Sequence, residues 1–257
     1  MVPPYHYGQT ARGAERPRER PLGMDLRQKL DHLRHIAVAC TQQHHQELIP
    51  LLRPHVPLGG TVIDVGAHAG QFTKLFSRMV GPGGTVHAFE PSPYARSILE
   101  ISMRASWRRN VVVHAEGLSD SPGILTLHTP IKKSGVRGYG LASMGGVVGE
   151  TLRGEIAETV DVLTLDSFAA DPGLRVDFIK ADIEGWEAHL LRGAQRILAT
   201  DHPGLFLEID HQMLARAGED ADEIFERLSA LGYRARKAGA SDLVTSYAGP
   251  ANYLFTV

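Results

Sequence analysis

Cysteine is nearly absent from this sequence, since Cys40 is the only one among 257 residues. A single thiol excludes an internal disulfide and is typical of a reducing compartment. Cys40 falls on the apolar stripe of a predicted helix, so the pattern predicts a buried thiol.

Long apolar runs and an excess of charge are also missing. No stretch of about 18 apolar residues occurs, and the N-terminus lacks the hydrophobic core of a secretory signal. The 27 basic and 29 acidic residues give a net charge of −2, without the basic excess typical of nucleic-acid binding. These features predict a cytoplasmic protein with a small-molecule substrate and no nucleic-acid or membrane partner, and they leave the oligomeric state open.

The N-terminal region divides into a tail and a helix. Residues 1–22 hold four prolines and the arginines Arg12, Arg16, Arg18 and Arg20. This composition predicts a flexible tail, with a basic binding arm as the alternative, ahead of a single domain over 23–257. Apolar residues then recur at helical spacing and predict an amphipathic helix over 25–52 that ends or kinks at Pro50. Its histidines predict a solvated polar face rather than a metal site: His32, His35, His44 and His45.

A short apolar run that ends in an acid and a glycine turn is the most informative feature present. Val62–Val65 contains Asp64 and leads into Gly66 and Gly70, before a helix predicted over about 71–79. Glycines at such a turn let the backbone bend tightly and approach a ligand closely. The pattern predicts a nucleotide-type cofactor site at the end of a buried strand.

The next strand adds an acid at the matching position. Thr85–Phe89 is β-favouring and ends in Glu90, Pro91 and Ser92. In nucleoside-binding folds, an acid at the end of the second strand accepts hydrogen bonds from ribose hydroxyls. We therefore predict that Glu90 binds a ribose, and the alternative is an exposed carboxylate at a strand end.

The missing middle glycine helps to choose between cofactors. A pyrophosphate usually requires the fuller G-x-G-x-x-G pattern, whereas this turn has His68 between Gly66 and Gly70. The spacing favours S-adenosylmethionine, which has no diphosphate, and NAD is the alternative.

Several ordered blocks resemble the FkbM family of S-adenosylmethionine-dependent methyltransferases, from about residue 60 to about residue 232. The blocks are DVGAHAG at 64–70, AFEP at 88–91, GLSD at 117–120, VLTLD at 162–166, DFIKADIEGWE at 177–187 and LRGA at 191–194. The resemblance implies an α/β fold with a Rossmann-like, doubly wound, mostly parallel seven-stranded sheet and an antiparallel C-terminal strand. Predicted cofactor-binding residues are Asp64, Gly66, Ala67, His68, Gly70, Thr73, Glu90, Pro91, Ser92, Leu118, Ser119 and Asp182.

Beyond Glu90 the pattern predicts a helix near 92–105 and strands at 111–115, 123–128 and 159–165. Between the last two strands lie seven glycines, too many for a regular element. We predict a mobile loop that contacts substrate through Tyr139, Ser143 and Met144, and the alternative is an insertion without function.

The later strands bring acids to the same edge of the sheet. Val176–Ala181 leads to Asp182 and Glu184, and Leu205–Ile209 leads to Glu208, Asp210 and His211. We predict Asp182, Glu208 and His211 as catalytic candidates for removing a proton from an alcohol, and Glu184 as a substrate contact. Trp186 begins a helical apolar pattern, which predicts packing against the sheet. Alternatively, Asp182, Glu208 and Asp210 hold a divalent cation such as magnesium.

The combined expectation is an O-methyltransferase that acts on a hydroxyl of a small molecule, a sugar or secondary metabolite. The methyl transfer is implied by the resemblance, and no residue identifies the acceptor. Two alternatives stay open: an NAD-dependent oxidoreductase and a non-catalytic module that binds an adenosyl ligand.

Overall fold

A mixed eight-stranded sheet forms the centre of the protein, in a computed structural model that describes residues 26–132, 138, 142–146, 152–171 and 173–257. Within these ranges the strands are β1 (Thr61–Val65), β2 (Thr85–Phe89), β3 (Val111–His114), β4 (Gly117–Leu118), β5 (Gly123–Lys132), β6 (Leu152–Leu163), β7 (Phe178–Ala181), β8 (Gly204–Ile209), β9 (Arg234–Lys237), β10 (Leu243–Val244) and β11 (Ala251–Thr256). The large sheet has the order β10-β9-β11-β8-β7-β1-β2-β3, and β4-β6-β5 form a second sheet.

The large sheet is parallel at its centre and antiparallel at one side. Strands β3, β2, β1, β7 and β8 are parallel, while β11 is antiparallel to both β8 and β9. The order reverses between β1 and β7, which leaves a crevice at their carboxyl ends. The predicted doubly wound sheet with an antiparallel C-terminal strand is confirmed. The count differs from seven because the two-residue β10 pairs with β9.

Helices cover both faces of this sheet. In the described ranges they are α1 (Leu26–Thr41), α2 (Ile49–Leu52), α3 (Gln71–Val80), α4 (Pro93–Ala105), α5 (Leu165–Phe168), α6 (Glu187–Arg192), α7 (Gln195–Thr200), α8 (His211–Arg216) and α9 (Ala221–Ala230), with a 3-10 turn at Gln46–Leu48. Successive β1 residues point to opposite faces: Val62 packs in the core beneath α3, and Ile63 packs with α7 and α9. Among the described helices, none is long and apolar enough to cross a membrane.

Helix α1 differs from its prediction in length and in the face that it buries. It ends at Thr41, and the apolar stripe of Leu26, Leu30 and Leu33 is 59–75% exposed. The opposite face packs on α4, where His35 Nδ1 lies 2.9 Å from the Tyr94 hydroxyl. This face is buried because Ile36 and Ala39 pack against Tyr94 and Ile98 of α4 and its histidines find polar partners there.

The residues around α1 add two smaller corrections. Cys40 is half-buried, whereas its place on the apolar stripe predicts a buried thiol. The predicted tail, residues 1–22, lies outside the described part of the chain.

The predicted glycine-rich loop is shorter than expected, because its flanking strands extend into it. Strands β5 and β6 pair from Gly123 with Val162 to Lys132 with Leu152. Ser143 makes a single antiparallel bridge with His128 beside this hairpin. Residues 133–137, 139–141 and 147–151, including the predicted substrate contact Tyr139, lie outside the described residues.

Candidate functional site

A cavity of about 280 Å³ opens where β1, β2 and β7 end. Its wall combines the glycine turn after β1, the acid after β2, the turn after β7 and parts of the small sheet. The lining residues are His45, Val65, Gly66, Ala67, His68, Gln71, Phe72, Phe89, Glu90, Pro91, Gly117, Leu118, Leu127, Ala142, Met144, Lys180, Asp182, Ile183, Glu184 and Trp186.

The glycine turn brings two strand ends into close contact. Gly66 has a φ of +67°, and a β-carbon there would collide with the carbonyl oxygen of Asp182. The amides of Gly66 and Ala67 both donate to the Phe89 carbonyl at 3.0 Å. Gly70, with a φ of +84°, starts α3. Glycine is therefore required at Gly66 both for its backbone conformation and for the approach of β7.

Glu90 is the buried acid at the centre of the wall. Its Oε2 accepts the His68 N–H at 2.7 Å, and its Oε1 accepts the Ser92 N–H at 2.9 Å. Burial raises the pKa of Glu90 to about 7 although both amides favour the carboxylate. Because each carboxylate oxygen can accept more than one hydrogen bond, Glu90 keeps capacity for the two hydroxyls of a ribose.

Asp64 lies behind the cavity wall rather than in it. It is fully buried, and it accepts the Thr73 hydroxyl at 2.6 Å. The Lys180 ammonium lies 3.4 Å from Asp64 Oδ1 and donates to the carbonyls of Val65 and Gly66 at 3.2 and 2.9 Å. Asp64, Thr73 and Lys180 therefore hold the glycine turn in place, and of the three only Lys180 lines the cavity.

Lys180 is a cavity residue that we did not predict. Burial opposes its charge, but the carboxylates of Asp64 and Asp182 outweigh burial and raise the pKa of Lys180. The ammonium therefore stays charged at neutral pH. Lys180 belongs to the block DFIKADIEGWE at 177–187. Its place in this block, on a strand next to β1, is the signal from which the sequence could have predicted it.

Asp182 and Glu208 form a carboxylic acid–carboxylate pair. Burial, the hydrogen bond to Asp182 and the charge of Asp182 together raise the pKa of Glu208 to about 9. Burial opposes the charge of Asp182 too, but Lys180 at 4.0 Å and the Glu208 hydrogen bond lower its pKa overall. At neutral pH Glu208 is therefore the protonated donor. Ionised Asp182 faces the cavity, whereas Glu208 is not one of its lining residues.

The turn after Asp182 supplies two further parts of the wall. Glu184 has a φ of +56° and lines the cavity, and burial followed by the charge of Asp182 raises its pKa to about 7. Glu187 closes the turn, since its Oε1 accepts the Ile183 N–H at 3.0 Å. Ser143 attaches the small sheet to this turn by donating to the Glu184 carbonyl at 3.0 Å.

Trp186 lies in the cavity wall, whereas packing against the sheet was predicted. Its indole N–H donates to Ser119 Oγ at 3.1 Å, and its ring stacks on His189 with 3.7 Å between centroids. The helix predicted to follow Trp186 is interrupted at Gly193. A β-carbon at Gly193 would collide with the Ser119 carbonyl oxygen. This close approach of Ser119 accompanies the division of the helix into α6 and α7.

The segment after α1 contributes residues that the sequence prediction placed on a solvated helix face. His45 adopts a φ of +63° and stacks on Phe72 with 4.4 Å between ring centroids. Gln43 donates to the Gln71 carbonyl at 3.0 Å, and the His44 amide donates to the Gln71 side chain at 3.2 Å. Burial lowers the pKa of His45, so its ring is neutral at neutral pH.

Other predicted site residues are placed outside the cavity lining. His211 is exposed at the start of α8, and its amide donates to the Tyr247 hydroxyl at 3.2 Å. Asp210 accepts the Gln212 N–H at 2.7 Å as the cap of α8. Ser92 caps α4, and Ser119 binds Trp186. Met144 lines the cavity, and its contact with a substrate stays a prediction.

The alternative prediction of a divalent cation site has no matching cluster of ligands among the described residues. In the part of the chain that the structure describes, no group of three or more histidine, cysteine, aspartate or glutamate side chains is placed to share a metal ion.

The sheet order and the cavity at the carboxyl ends of its parallel strands define a Rossmann-like α/β domain. Residues 64–235 match the model of the methyltransferase FkbM domain, and the chain therefore belongs to the FkbM methyltransferase family. The matched range contains Asp64, Glu90 and Asp182, but His45 and α1 precede it.

Two curated relatives show similar regions. One is the 31-O-demethyl-FK506 methyltransferase FkbM of Streptomyces tacrolimicus, 30% identical over 61% of this chain and 64% of the relative. The other is methyltransferase 1 of Beauveria bassiana, 28% identical over 51% of this chain and 57% of the relative. The chain thus spans about three fifths of the length of these relatives.

Among solved structures, a protein described as an rRNA-methylase from Clostridium thermocellum is similar over 84% of this chain and 96% of its own. The TM-score is 0.50 and the identity 9%, a likeness that concerns the fold alone. An FkbM methyltransferase from Methylobacillus flagellatus gives a TM-score of 0.48 at 14% identity, over 89% of this chain and 59% of that one.

Proposed function

We propose that this protein transfers a methyl group from S-adenosylmethionine to a hydroxyl of a small molecule. The observation that carries the proposal is buried Glu90, held by the His68 and Ser92 amides with its remaining acceptor capacity toward the cavity. The cavity fits an adenosyl ligand because Gly117 and Leu118 give it an apolar side and ionised Asp182 gives it a polar side. When bound, the cofactor supplies a methyl carbon activated by a sulfonium charge.

The chain's own contribution would be alignment, exclusion of water and removal of one proton. Alignment of two reactants supplies roughly 7–11 kcal/mol in favourable cases. For the proton we favour Glu184, since it lines the cavity and its pKa of about 7 suits a general base at neutral pH. Asp182 is a weaker base with its lowered pKa, Glu208 is already protonated, and His211 lies outside the cavity lining.

The choice of oxygen and of a small molecule rests on the Streptomyces relative, whose name specifies methylation at the 31-O position of a demethyl-FK506. We extend the proposal to tailoring of a natural product, a sugar or a secondary metabolite in the cytoplasm. The single cysteine supports a reducing compartment.

The first test is calorimetric titration with S-adenosylhomocysteine beside NADH. We expect binding of the former alone, followed by transfer of a labelled methyl group in a screen of alcohols. Binding of NADH alone would contradict the cofactor assignment. Binding of S-adenosylhomocysteine without transfer to any alcohol, amine or thiol would instead favour a non-catalytic binding module.

The choice of base is tested with the acceptor from that screen. We expect Glu184→Gln to lower kcat by about 10²-fold or more while the affinity for S-adenosylhomocysteine stays close to wild type. Asp182→Asn should also depress turnover more than stability. If Glu184→Gln keeps full turnover, the proton is removed by another group.

A further inference from the structure

A second cavity, of about 440 Å³, lies at the far end of α4 from the cofactor site. Ser92 caps α4 beside Glu90, whereas this cavity is formed by the last turn of α4, the loop 106–110 and the start of β3. The 13 residues of α4 separate the two by roughly 20 Å. The lining residues are Glu100, Met103, Arg104, Trp107, Arg108, Arg109, Val111 and Val113.

Trp107 is the unusual residue of this cavity. It adopts a φ of +52° just after α4 ends, a position at which glycine is the common residue because a β-carbon is strained there. Its side chain is 79% exposed, so burial of the indole does not compensate for the strain. Backbone strain without a packing reason is typical of functional positions.

The cavity also concentrates positive charge in a chain whose net charge is −2. Arg104, Arg108 and Arg109 line it, and Glu100 is the one acid in the lining, 3.2 Å from Arg104. The buried Nε of Arg108 has no hydrogen-bond partner among the described residues. Arg78 on α3 lies near enough to add to this charge.

The loop that carries these side chains is held in position. The Arg108 amide donates to the Met103 carbonyl at 3.1 Å, which ties the loop to α4. The Asn110 side chain donates to the carbonyls of Ser77 and Gly81 at 3.0 and 2.8 Å and accepts the Ser77 hydroxyl at 2.7 Å. The backbone that carries the indole and the guanidinium groups is thus held in place before any ligand binds, which reduces part of the ordering cost of binding.

We propose that this cavity binds a phosphorylated aromatic small molecule of the mononucleotide class. The indole of Trp107 provides a stacking surface for a base, and Arg108 and Arg109 provide planar donors that match phosphate oxygens. The volume is in the range of small-molecule sites and suits one nucleotide. The site is separate from the cofactor cavity and does not depend on the activity proposed above.

The test is calorimetric titration of the full chain with guanosine monophosphate, with S-adenosylhomocysteine at saturation to occupy the first cavity. We expect one nucleotide bound per chain. The double variant Arg108→Ala/Arg109→Ala should weaken binding at least tenfold. Trp107→Gly should weaken it severalfold while raising the thermal midpoint, because glycine relieves the backbone strain and the chain stays folded. Arg234→Ala on β9 removes one exposed arginine at the other side of the sheet and should change nothing.

Three results would overturn the proposal. The first is no nucleotide binding by the wild type. The second is binding that Trp107→Gly leaves intact and inorganic phosphate displaces equally well, which would show a bare anion patch. The third is retention of the wild type, but not of the double variant, on phosphatidylserine vesicles while guanosine monophosphate fails to bind, which would assign the surface to a membrane.

Discussion

At the scale of single residues, Glu90 connects three parts of the site: β2, the His68 turn and the start of α4. In Glu90→Gln, the amide group has one acceptor oxygen for two backbone donors and cannot also receive ribose hydroxyls. We expect S-adenosylhomocysteine to bind roughly 10- to 100-fold more weakly, a loss of about 1–3 kcal/mol, by calorimetry. Exposed Glu223→Gln is the matched control. Unchanged affinity in Glu90→Gln would remove the ribose assignment.

Glu90 also predicts how this affinity depends on pH. Its pKa is raised to about 7 by burial, and the ionised form is the better acceptor for hydroxyls. The affinity of the wild type should therefore fall as the pH drops below about 7, by at most tenfold per pH unit. The Glu90→Gln variant should lack this dependence, and a wild-type curve flat from pH 5 to 8 would contradict the assignment.

Glu208 gives a prediction about stability that needs no acceptor. Its pKa in the folded state, about 9, lies above its unfolded value, so its protonated form stabilises the fold fully below about pH 4.5 and progressively less up to about pH 9. In Glu208→Gln the amide N–H still donates to Asp182, and because an amide does not titrate, this contact does not weaken as the pH rises. Because Glu208 is partly exposed, solvent screens its interactions. We therefore expect the variant to exceed the wild type in free energy of unfolding at pH 8 by on the order of 1 kcal/mol.

The measurement is the thermal midpoint of wild type and Glu208→Gln between pH 4.5 and 9. The variant should gain a few degrees at pH 8 and nothing near pH 4.5. A constant difference across this range would show that the carboxyl pair does not share a proton as inferred.

At the scale of elements, the segment between α1 and the 3-10 turn closes one side of the cavity at the ends of β1, β2 and β7. Gln71 begins α3, and His45 stacks on Phe72 in its first turn, where a carboxylate is favoured by the helix N-terminus. We predict that His45 and Gln71 hold the amino-acid end of the cofactor. His45→Ala should then lower the affinity for S-adenosylhomocysteine about 5- to 10-fold. The affinity for methylthioadenosine, which lacks the amino-acid end, should stay unchanged.

The neighbouring variant His44→Ala serves as the control, because the His44 side chain is exposed and its contact to Gln71 uses the backbone amide. If His45→Ala lowers the affinity for both ligands equally, His45 does not contact the amino-acid end of the cofactor. This result would not affect the prediction for Glu90.

Helix α1 offers a second test at this scale. Leu30 and Leu33 are 59% and 62% exposed. The double variant Leu30→Gln/Leu33→Gln should therefore shift the thermal midpoint by no more than about 2 °C. Ala39→Leu on the buried face should cost about 1–3 kcal/mol by overpacking. Large destabilisation by the leucine changes would mean that this stripe is covered in solution.

At the scale of the whole molecule, the parallel sheet brings residues distant in sequence to one edge. Asp64, Glu90 and Asp182 each end a strand of β1, β2 or β7, and these three strands are neighbours. Each motif could be recognised locally, and the edge that they share follows from the topology of doubly wound folds. That is why the meeting of these strand ends at one edge of the sheet was predictable.

The parts that were not predicted depend on contacts between separate elements. The apolar stripe of α1 is a valid helical pattern, but α4 offered hydrogen-bond partners to the other face. The role of His45 follows from the approach of α1 to α3, and that of Trp186 from its partners Ser119 and His189. None of these approaches leaves a periodic signal in the chain.

The sequence by itself determined the order of the strands from β1 to β8 apart from the two-residue β4, the glycine turn at Gly66, the strand-end acids and the family. These features are local, since they depend on backbone geometry and hydrophobic period over a few residues. Only the tertiary structure decided which acid lines the cavity, which carries the proton and which face of α1 is buried. Protonation depends on burial and on charges such as Lys180 that lie close in space, and those distances exist only in the folded chain.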